Sequence, residues 1–402
     1  MLADTTRLRR ELQRTLPTRP FAVELWDGTR VPATSDNGHP TFRVRSPQAL
    51  AHVLRSPNQL GIGRAYVSGH LDVDDLDGAL QVVTGWDPPP LERADQVRLG
   101  LALARATGIA RPPEIPEMEI RQQGALHSIL RDKEAVAFHY NSGNAFFQTF
   151  LDDSMTYSCA IFSRGATTLE EAQATKLELV CTKLALQAGQ RVLDVGCGWG
   201  AFAIHAARHH GVSVLGITLS EEQAALAREK VAAAGVSDRV EIRLADYREL
   251  AEQPFDAISS IGMVEHVGET QIDAYARQLH RQLKPGGRLL NHGIAQLQRG
   301  EFQTPGPFNE RYVFPDGETL PLSRIELALE RAGFVTEHVE NFQHDYAETL
   351  RHWIERYDEH YEEAERLVGS ERARVWRLYM RAARNGFENG FTGIYQVRCS
   401  RP

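Results

Sequence analysis

The chain has 402 residues, of which 42% are hydrophobic and 24% charged, and its net charge is -8. That length exceeds one ordinary hydrophobic core and predicts two domains, and the composition excludes a disordered or fibrous chain. The acidic balance argues against nucleic acid as a partner and gives no overall attraction to an anionic membrane surface.

The opening residues lack an apolar core segment, so no secretory signal is expected. No apolar run reaches the roughly 18 residues needed to span a bilayer. Leu8, Leu12 and Leu16 recur at helical spacing beside Arg7, Arg10 and Arg14. They suit either a surface helix packed on its own domain or a basic amphipathic helix that touches lipid headgroups. FAVELWDGTRVPA and PTFRVRS alternate like strands, RSPQALAHVLRS reads as a helix, and another helix-like run follows the Pro-rich WDPPPLE. The polar, Pro-bearing stretch after residue 110 lacks sustained periodicity. We place the domains at 1–112 and 136–402, with a linker over 113–135. The four cysteines, Cys159, Cys181, Cys197 and Cys399, form no CxxC pair. No disulfide framework and no metal site are expected, and a reducing, cytoplasmic setting fits.

From residue 169 the pattern alternates between helices and short apolar strands. Leu169 to Leu186 reads as an amphipathic helix. RVLDVGCG, VSVLGIT, VEIRLADY, FDAISSIG and RLLNHGIA read as strands, with KPGG as a turn before the last. Strands of this kind, separated by helices, predict a mostly parallel sheet covered on both faces, with ligands at the carboxyl ends of the strands.

The first of these strands ends in Asp194-Val195-Gly196-Cys197-Gly198-Trp199-Gly200. Glycines there let the backbone turn sharply and approach a ligand with no Cβ in the way. The spacing is GxGxG, which differs from the GxGxxG of dinucleotide sites. With the strand before it and a helix after it, the segment resembles motif I of class I methyltransferases. The next strand ends Thr218-Leu219-Ser220, without the acid that many such enzymes place there for ribose hydroxyls. Ser220 and Gln223 also fit a helix-capping pattern. Asp246-Tyr247 follows the third strand; the Asp suits an adenine amine beside the Tyr ring, or a plain turn.

Further segments carry a more specific resemblance. They are Phe138 to Phe147 (FHYNSGNAFF), Met155-Thr156-Tyr157-Ser158-Cys159-Ala160, TLSEEQ, Gly262 to Gly268 (GMVEHVG), His292-Gly293-Ile294, and Asn341-Phe342 with Asp345-Tyr346. Together they resemble the cyclopropane-fatty-acid synthases and the related mycolic-acid methyltransferases, over about residues 135 to 400. The region before them resembles the extra domain of the bacterial cyclopropane synthases. Two departures stand out. Asn141-Ser142 replaces a frequent Asp-Val, which bears on the cofactor lid. Ala383 stands near the place of a C-terminal family cysteine, which excludes a cysteine nucleophile there.

The resemblance implies a Rossmann-like α/β domain with a mostly parallel seven-stranded sheet and helices on both faces, beside a smaller mixed N-terminal domain that binds lipid or presents the enzyme to it. It implies methylene transfer from S-adenosylmethionine to the cis double bond of an unsaturated acyl chain in a membrane phospholipid. The methylated carbocation would lose a proton to a bound bicarbonate and close to a cyclopropane ring. Proton loss from a neighbouring chain carbon would give a methylene- or methyl-branched chain instead. Carried over, the cofactor residues are Tyr157, Ser158, Asp194, Gly196, Cys197, Gly198, Gly200, Thr218, Ser220, Gln223, Asp246 and Tyr247. The bicarbonate set is Cys159, Glu265, His292, the backbone of Ile294, and Tyr346. Taken singly, Cys159 also suits a small buried residue and Tyr346 a packing residue. A homodimer acting peripherally at the cytoplasmic face of the membrane is the family expectation. The segment 298–321, rich in aromatics and proline, suits part of an acyl-chain pocket or its lid, or plain loop packing. Trp353, Tyr357, Trp376 and Tyr379 suit core or dimer contacts.

Overall fold

The apolar runs build two sheets. The computed structural model describes residues 5–35, 39–87, 90, 92–107, 113–121, 124–140, 142–296 and 306–402. The chain divides into two compact units. One holds Met1–Ile120, Gly306–Tyr312 and Gly369–Asn385; the other holds Arg121–Pro305, Val313–Val368 and Gly386–Pro402.

In the first unit, β1 (Ala22–Glu24), β2 (Arg30–Val31), β3 (Thr41–Val44) and β4 (Leu71–Val73) form a sheet in the order β2-β1-β3-β4. The β1–β3 pair is parallel and the other two are antiparallel. Helix Pro47–Arg55 starts where Ser46 accepts a hydrogen bond from the Gln48 N–H, with Pro47 at the first helical position. Leu8, Leu25, Val44, Ala65, Leu71 and Leu103 meet in one core. The returning segments are tied in by polar contacts. Arg64 donates two hydrogen bonds of 2.6 Å to the buried Glu119 carboxylate, which also accepts from the Tyr312 hydroxyl at 3.1 Å. Arg374 donates to the carbonyls of Tyr66 and Leu71 at 2.6 and 2.8 Å.

The second unit carries seven strands. They are β5 (Arg191–Val195), β6 (Ser213–Thr218), β7 (Val240–Leu244), β8 (Phe255–Ile261), β9 (Leu283–Gln296), β10 (Val335–Asn341) and β11 (Thr392–Ser400), in the order β10-β11-β9-β8-β5-β6-β7. All pairs from β9 to β7 are parallel; β11 runs antiparallel to both its neighbours. This is the expected mostly parallel seven-stranded α/β sheet. Residues KPGG, read as a turn, lie inside the long β9, whose pairing with β8 shifts register near Phe255.

Alternation along the strands explains the layers. Leu193, Leu215, Ile258 and Leu289 face one core with helices Ile272–Gln282 and Leu322–Arg331. Val192, Val214, Ala257 and Leu290 face the other, with helices Leu169–Leu184, Ala201–His210 and Glu221–Ala233. Helix Leu169–Leu184 opens with a complete capping box between Thr168 and Glu171. Helix Ile129–Tyr140 begins inside the stretch read as linker. Its apolar residues give no clear stripe because Leu130 is 77% exposed, which is why the sequence shows no period there.

Candidate active site

At the carboxyl end of β5 the chain turns through Gly196, whose φ of 76° favours glycine. A Cβ there would stand 2.6 Å from the Met263 side chain. The Gly196 and Cys197 N–H groups both donate to the Ile217 carbonyl, at 3.0 and 2.9 Å, which pins the loop against the end of β6.

Around this loop lies a cleft enclosing about 1180 Å³ of empty space, its open mouth included. Of the residues assigned to the cofactor from sequence, Tyr157, Ser158, Asp194, Gly196, Cys197, Gly198, Thr218, Gln223, Asp246 and Tyr247 line it. Gly200 instead precedes helix Ala201–His210, and Ser220 caps the next helix by accepting the Gln223 N–H at 3.3 Å. Gln223 does not reach back to complete a capping box; its side-chain oxygen accepts from the Thr218 hydroxyl at 2.7 Å. The Asp246 carboxylate is held by the Arg248 guanidinium at 2.6 and 2.9 Å.

Aromatic packing holds the wall of the cleft. The Tyr157 ring stacks on buried Trp353 with centroids 5.1 Å apart. The Trp199 indole N–H donates to Asn144 at 2.7 Å and joins the FHYNSGNAFF segment to the glycine loop. Asn141 lies outside the described residues. Trp353, Tyr357 and Trp376 are buried and serve as core.

The fit to S-adenosylmethionine rests on buried polar atoms. Asp194 is 2% exposed and its Oδ2 has no partner. Burial pushes its carboxyl up to about 7, against the opposing pull of the Lys176 charge. Lys176 is itself 1% exposed and donates to the Ser158 hydroxyl at 2.9 Å. Burial lowers its ammonium to about 8, partly offset by Asp152, Cys159 and Asp194. An acid and a base thus face one cleft, as a ligand with an α-amino and an α-carboxylate group requires. Sequence reasoning missed Lys176, and also Arg248 and Asp132, which pair at 2.9 Å and line the same cleft.

The five residues assigned to bicarbonate do not line this cleft. They gather beside it on the ends of β9 and neighbouring segments. The His292 carbonyl accepts from Gly262 N–H, a lining residue, at 2.8 Å. Glu265 Oε1 accepts the Ile294 N–H at 2.7 Å, and its Oε2 is buried without a partner. Burial pushes the Glu265 carboxyl up to about 7. His292 Nδ1 lies 3.3 Å from the Gln396 amide, and its Nε2 is likewise buried without a partner. Burial holds this imidazole neutral. Phe342 links the group: its carbonyl accepts from Tyr346 N–H at 3.0 Å and lies 3.8 Å from Cys159 Sγ, its N–H donates to the Ile394 carbonyl at 2.9 Å, and its ring centroid lies 6.3 Å from that of His292. Burial raises the Cys159 thiol far above the thiolate range, so it acts here as a neutral group.

Of the segment 298–321, residues 298–305 lie outside the described residues. Its later part reaches the site: Glu318 N–H donates to the Glu265 carbonyl at 3.0 Å, and Phe314 stacks on His139 with centroids 3.9 Å apart.

The sheet order, the glycine loop and the acid–base pair in the cleft define a class I methyltransferase that uses S-adenosylmethionine. A family model for mycolic acid cyclopropane synthetase matches residues 127–397. A probable fatty acid methyltransferase of Mycobacterium tuberculosis is 38% identical over 392 residues, 95% of this chain and 91% of that protein. The cyclopropane-fatty-acyl-phospholipid synthase of Escherichia coli is 34% identical over 364 residues, 90% of this chain and 87% of that protein. The crystal structure of mycolic acid cyclopropane synthase CmaA1 complexed with SAH and CTAB superposes with a TM-score of 0.63 at 32% identity, covering 67% of this chain and 98% of that one. The chain belongs to the mycolic acid cyclopropane synthetase family and is a methyltransferase of the cyclopropane synthase type.

Proposed function

We propose that this enzyme transfers a methylene group from S-adenosylmethionine to the cis double bond of an unsaturated acyl chain in a membrane phospholipid, leaving a cyclopropane ring. The observation that carries the reading is the pair of buried, unpartnered atoms beside the cleft, Glu265 Oε2 and His292 Nε2. Unpaired buried polar atoms are costly, and methylation of a simple amine or hydroxyl calls for no such second pocket.

S-adenosylmethionine supplies the electrophilic methyl group. Asp194, Lys176 and Ser158 would hold its amino-acid end, and the Gly196 turn leaves no Cβ between the backbone and the ligand. Tyr157, Trp199 and Trp353 keep the surroundings apolar, which protects a cationic intermediate from water. Cys159, Glu265, His292, Ile294 and Tyr346 would hold bicarbonate, which supplies the acceptor for the proton lost at ring closure. Among these residues Glu265, with its carboxyl near 7, is suited to take a proton onward, and neutral His292 to donate to an oxyanion. The Ile294 N–H is already spent on Glu265, so its backbone would contribute through the carbonyl.

On the same reading the enzyme works as a homodimer at the cytoplasmic face of the membrane, with the N-terminal region presenting it to lipid. Among the described residues no helix is long and apolar enough to cross a membrane. A second reading, a methylene- or methyl-branched product, is favoured by the 38% identical relative, which is named for fatty acid methylation and not for cyclopropanation.

The test is mass spectrometry of acyl chains after incubation with S-adenosylmethionine, bicarbonate and vesicles of a monounsaturated phospholipid. A gain of one CH₂ that resists mild hydrogenation is expected. The same gain on a chain that still takes up hydrogen would favour an exocyclic alkene. No gain by a protein that still binds cofactor would overturn the phospholipid assignment.

A further inference from the structure

We propose that the methyltransferase unit carries a zinc site, formed by Cys181, His205, His210 and Glu178, none of which lines the cleft described above. His205 and His210 stand in an H-x4-H spacing that zinc sites use, but with no cysteine or acid close to them in sequence it is weak by itself. The fold brings the four ligands together from two helices. Glu178 and Cys181 stand three residues apart on Leu169–Leu184 and share a face. His205 and His210 come from Ala201–His210, which packs beside it.

The ligand atoms of Cys181, His205 and His210 all lie within 4.8 Å of one another. The Nε2 atoms of both histidines lie 3.1 Å from the same Glu178 oxygen, Oε2. Around a tetrahedral zinc with bonds of about 2.0–2.3 Å, neighbouring ligand atoms are about 3.3–3.8 Å apart. The three atoms therefore need only side-chain adjustments to enclose one ion, and Glu178, which already meets both histidines, stands beside them as the fourth donor.

The donor chemistry selects the metal. A thiolate with two imidazoles and one carboxylate suits Zn²⁺ and disfavours the oxygen-seeking Mg²⁺ and Ca²⁺. Binding releases the Cys181 thiol proton to solvent, and the imidazoles bind neutral through Nε2. Two positive charges then meet one thiolate and one carboxylate, so the assembled centre is neutral and its partial burial carries little charge penalty. Cys181 is fully buried, whereas the histidine side chains are 16% and 20% exposed and Glu178 is 52% exposed, which leaves an entry path on the Glu178 side. Four protein ligands leave no open position, as in structural zinc sites. The ion would clamp the helix before β5 to the helix that begins immediately after the glycine loop.

The experiment uses the full chain, stripped with a chelator, and titrates it with Zn²⁺ and separately with Co²⁺. We expect one equivalent of Zn²⁺ per chain, a raised melting temperature, and a thiolate-to-cobalt charge-transfer band with the visible intensity of tetrahedral Co²⁺. Cys181→Ser, which preserves volume, should abolish the charge-transfer band. His205→Ala and His210→Ala should each weaken zinc binding more than the roughly 10–100-fold typical of outer-shell changes. His209→Ala, beside the cluster but outside it, should bind like the parent and show that helix substitutions alone do not disturb the site. Absence of a thiolate band in the folded parent would overturn the proposal. So would a band that survives Cys181→Ser, or zinc binding that His209→Ala weakens as much as His205→Ala does.

Discussion

The indole N–H of Trp199 donates to the side-chain oxygen of Asn144 across 2.7 Å, tying the glycine loop to a segment 55 residues earlier. Trp199 is 2% exposed, so Asn144→Ala leaves a buried donor unsatisfied. The expected loss is about 1–3 kcal/mol of stability, together with weaker cofactor binding, because Trp199 lines the cleft. Asn144→Asp keeps an acceptor and should recover most of both. Urea unfolding and calorimetric titration with S-adenosylhomocysteine check the pair.

Glu265→Gln retains an oxygen for the Ile294 N–H but removes the titrating group. Turnover should fall on the order of 10²–10⁴-fold. Cofactor affinity should hold, since Glu265 does not line the cofactor cleft. The substitution also reports on stability. With its folded carboxyl raised to about 7 by burial, Glu265 costs the apoprotein nothing at pH values below its unfolded range near 4.5. Stability from this group is lost as pH rises from there through 7. Urea unfolding across that window should show the parent's stability falling with pH, and Glu265→Gln should remove up to about 1.4 kcal/mol per pH unit of that slope.

Lys176→Met removes the cation beside Asp194. Near pH 8 the lone carboxylate stays buried and uncompensated, and the loss should be about 3 kcal/mol. In mild acid Asp194, already raised to about 7, takes up a proton, and the loss should shrink. Chemical unfolding at the two pH values tests this; equal losses would mean that Lys176 contributes packing alone.

The arginines of helix Thr6–Thr15 divide into two kinds. Leu8 is buried in its own core, so this helix has no free apolar face to insert in lipid. Arg14 is engaged by Glu11 at 2.9 Å and Asp95 at 2.6 Å, whereas Arg7, Arg9 and Arg10 are exposed. If this surface meets anionic lipid, replacing those three by Gln should weaken vesicle binding by roughly fivefold per arginine and flatten its salt dependence. Arg14→Gln should change little. Cosedimentation with anionic vesicles at low and high salt distinguishes the outcomes, and unchanged binding by the triple variant would exclude the surface.

The methyltransferase sheet was readable because its central strands are buried on both faces and stand out as short apolar runs between helices. The glycine loop was readable because its geometry restricts residue choice at Gly196. Lys176 was harder to see, since in isolation it reads as a solvated helix charge. The signal was its place on the inner face with Gln173, Val180 and Leu184, all buried. The Arg248–Asp132 pair was hidden because Asp132 stands on a helix whose exposed Leu130 conceals the amphipathic pattern. The cluster of Glu178, Cys181, His205 and His210 shows only the H-x4-H spacing of its histidines in sequence, because two helices share it.

The three-part make-up of the first unit bears on synthesis. Its core residues, Leu8 to Ala106, all emerge early from the ribosome. The segments 306–312 and 369–385, which supply Tyr312 and Arg374, come much later. At roughly 5–20 residues per second, the wait from residue 120 to residue 369 is on the order of 10–50 s. Until residue 312 is made the nascent unit holds the Arg64–Glu119 pair without its Tyr312 donor, and until residue 374 is made the carbonyls of Tyr66 and Leu71 lack their Arg374 partner. The first unit to leave the ribosome is therefore among the last to be completed, and a chain arrested before residue 369 would present chaperones with an unfinished N-terminal unit.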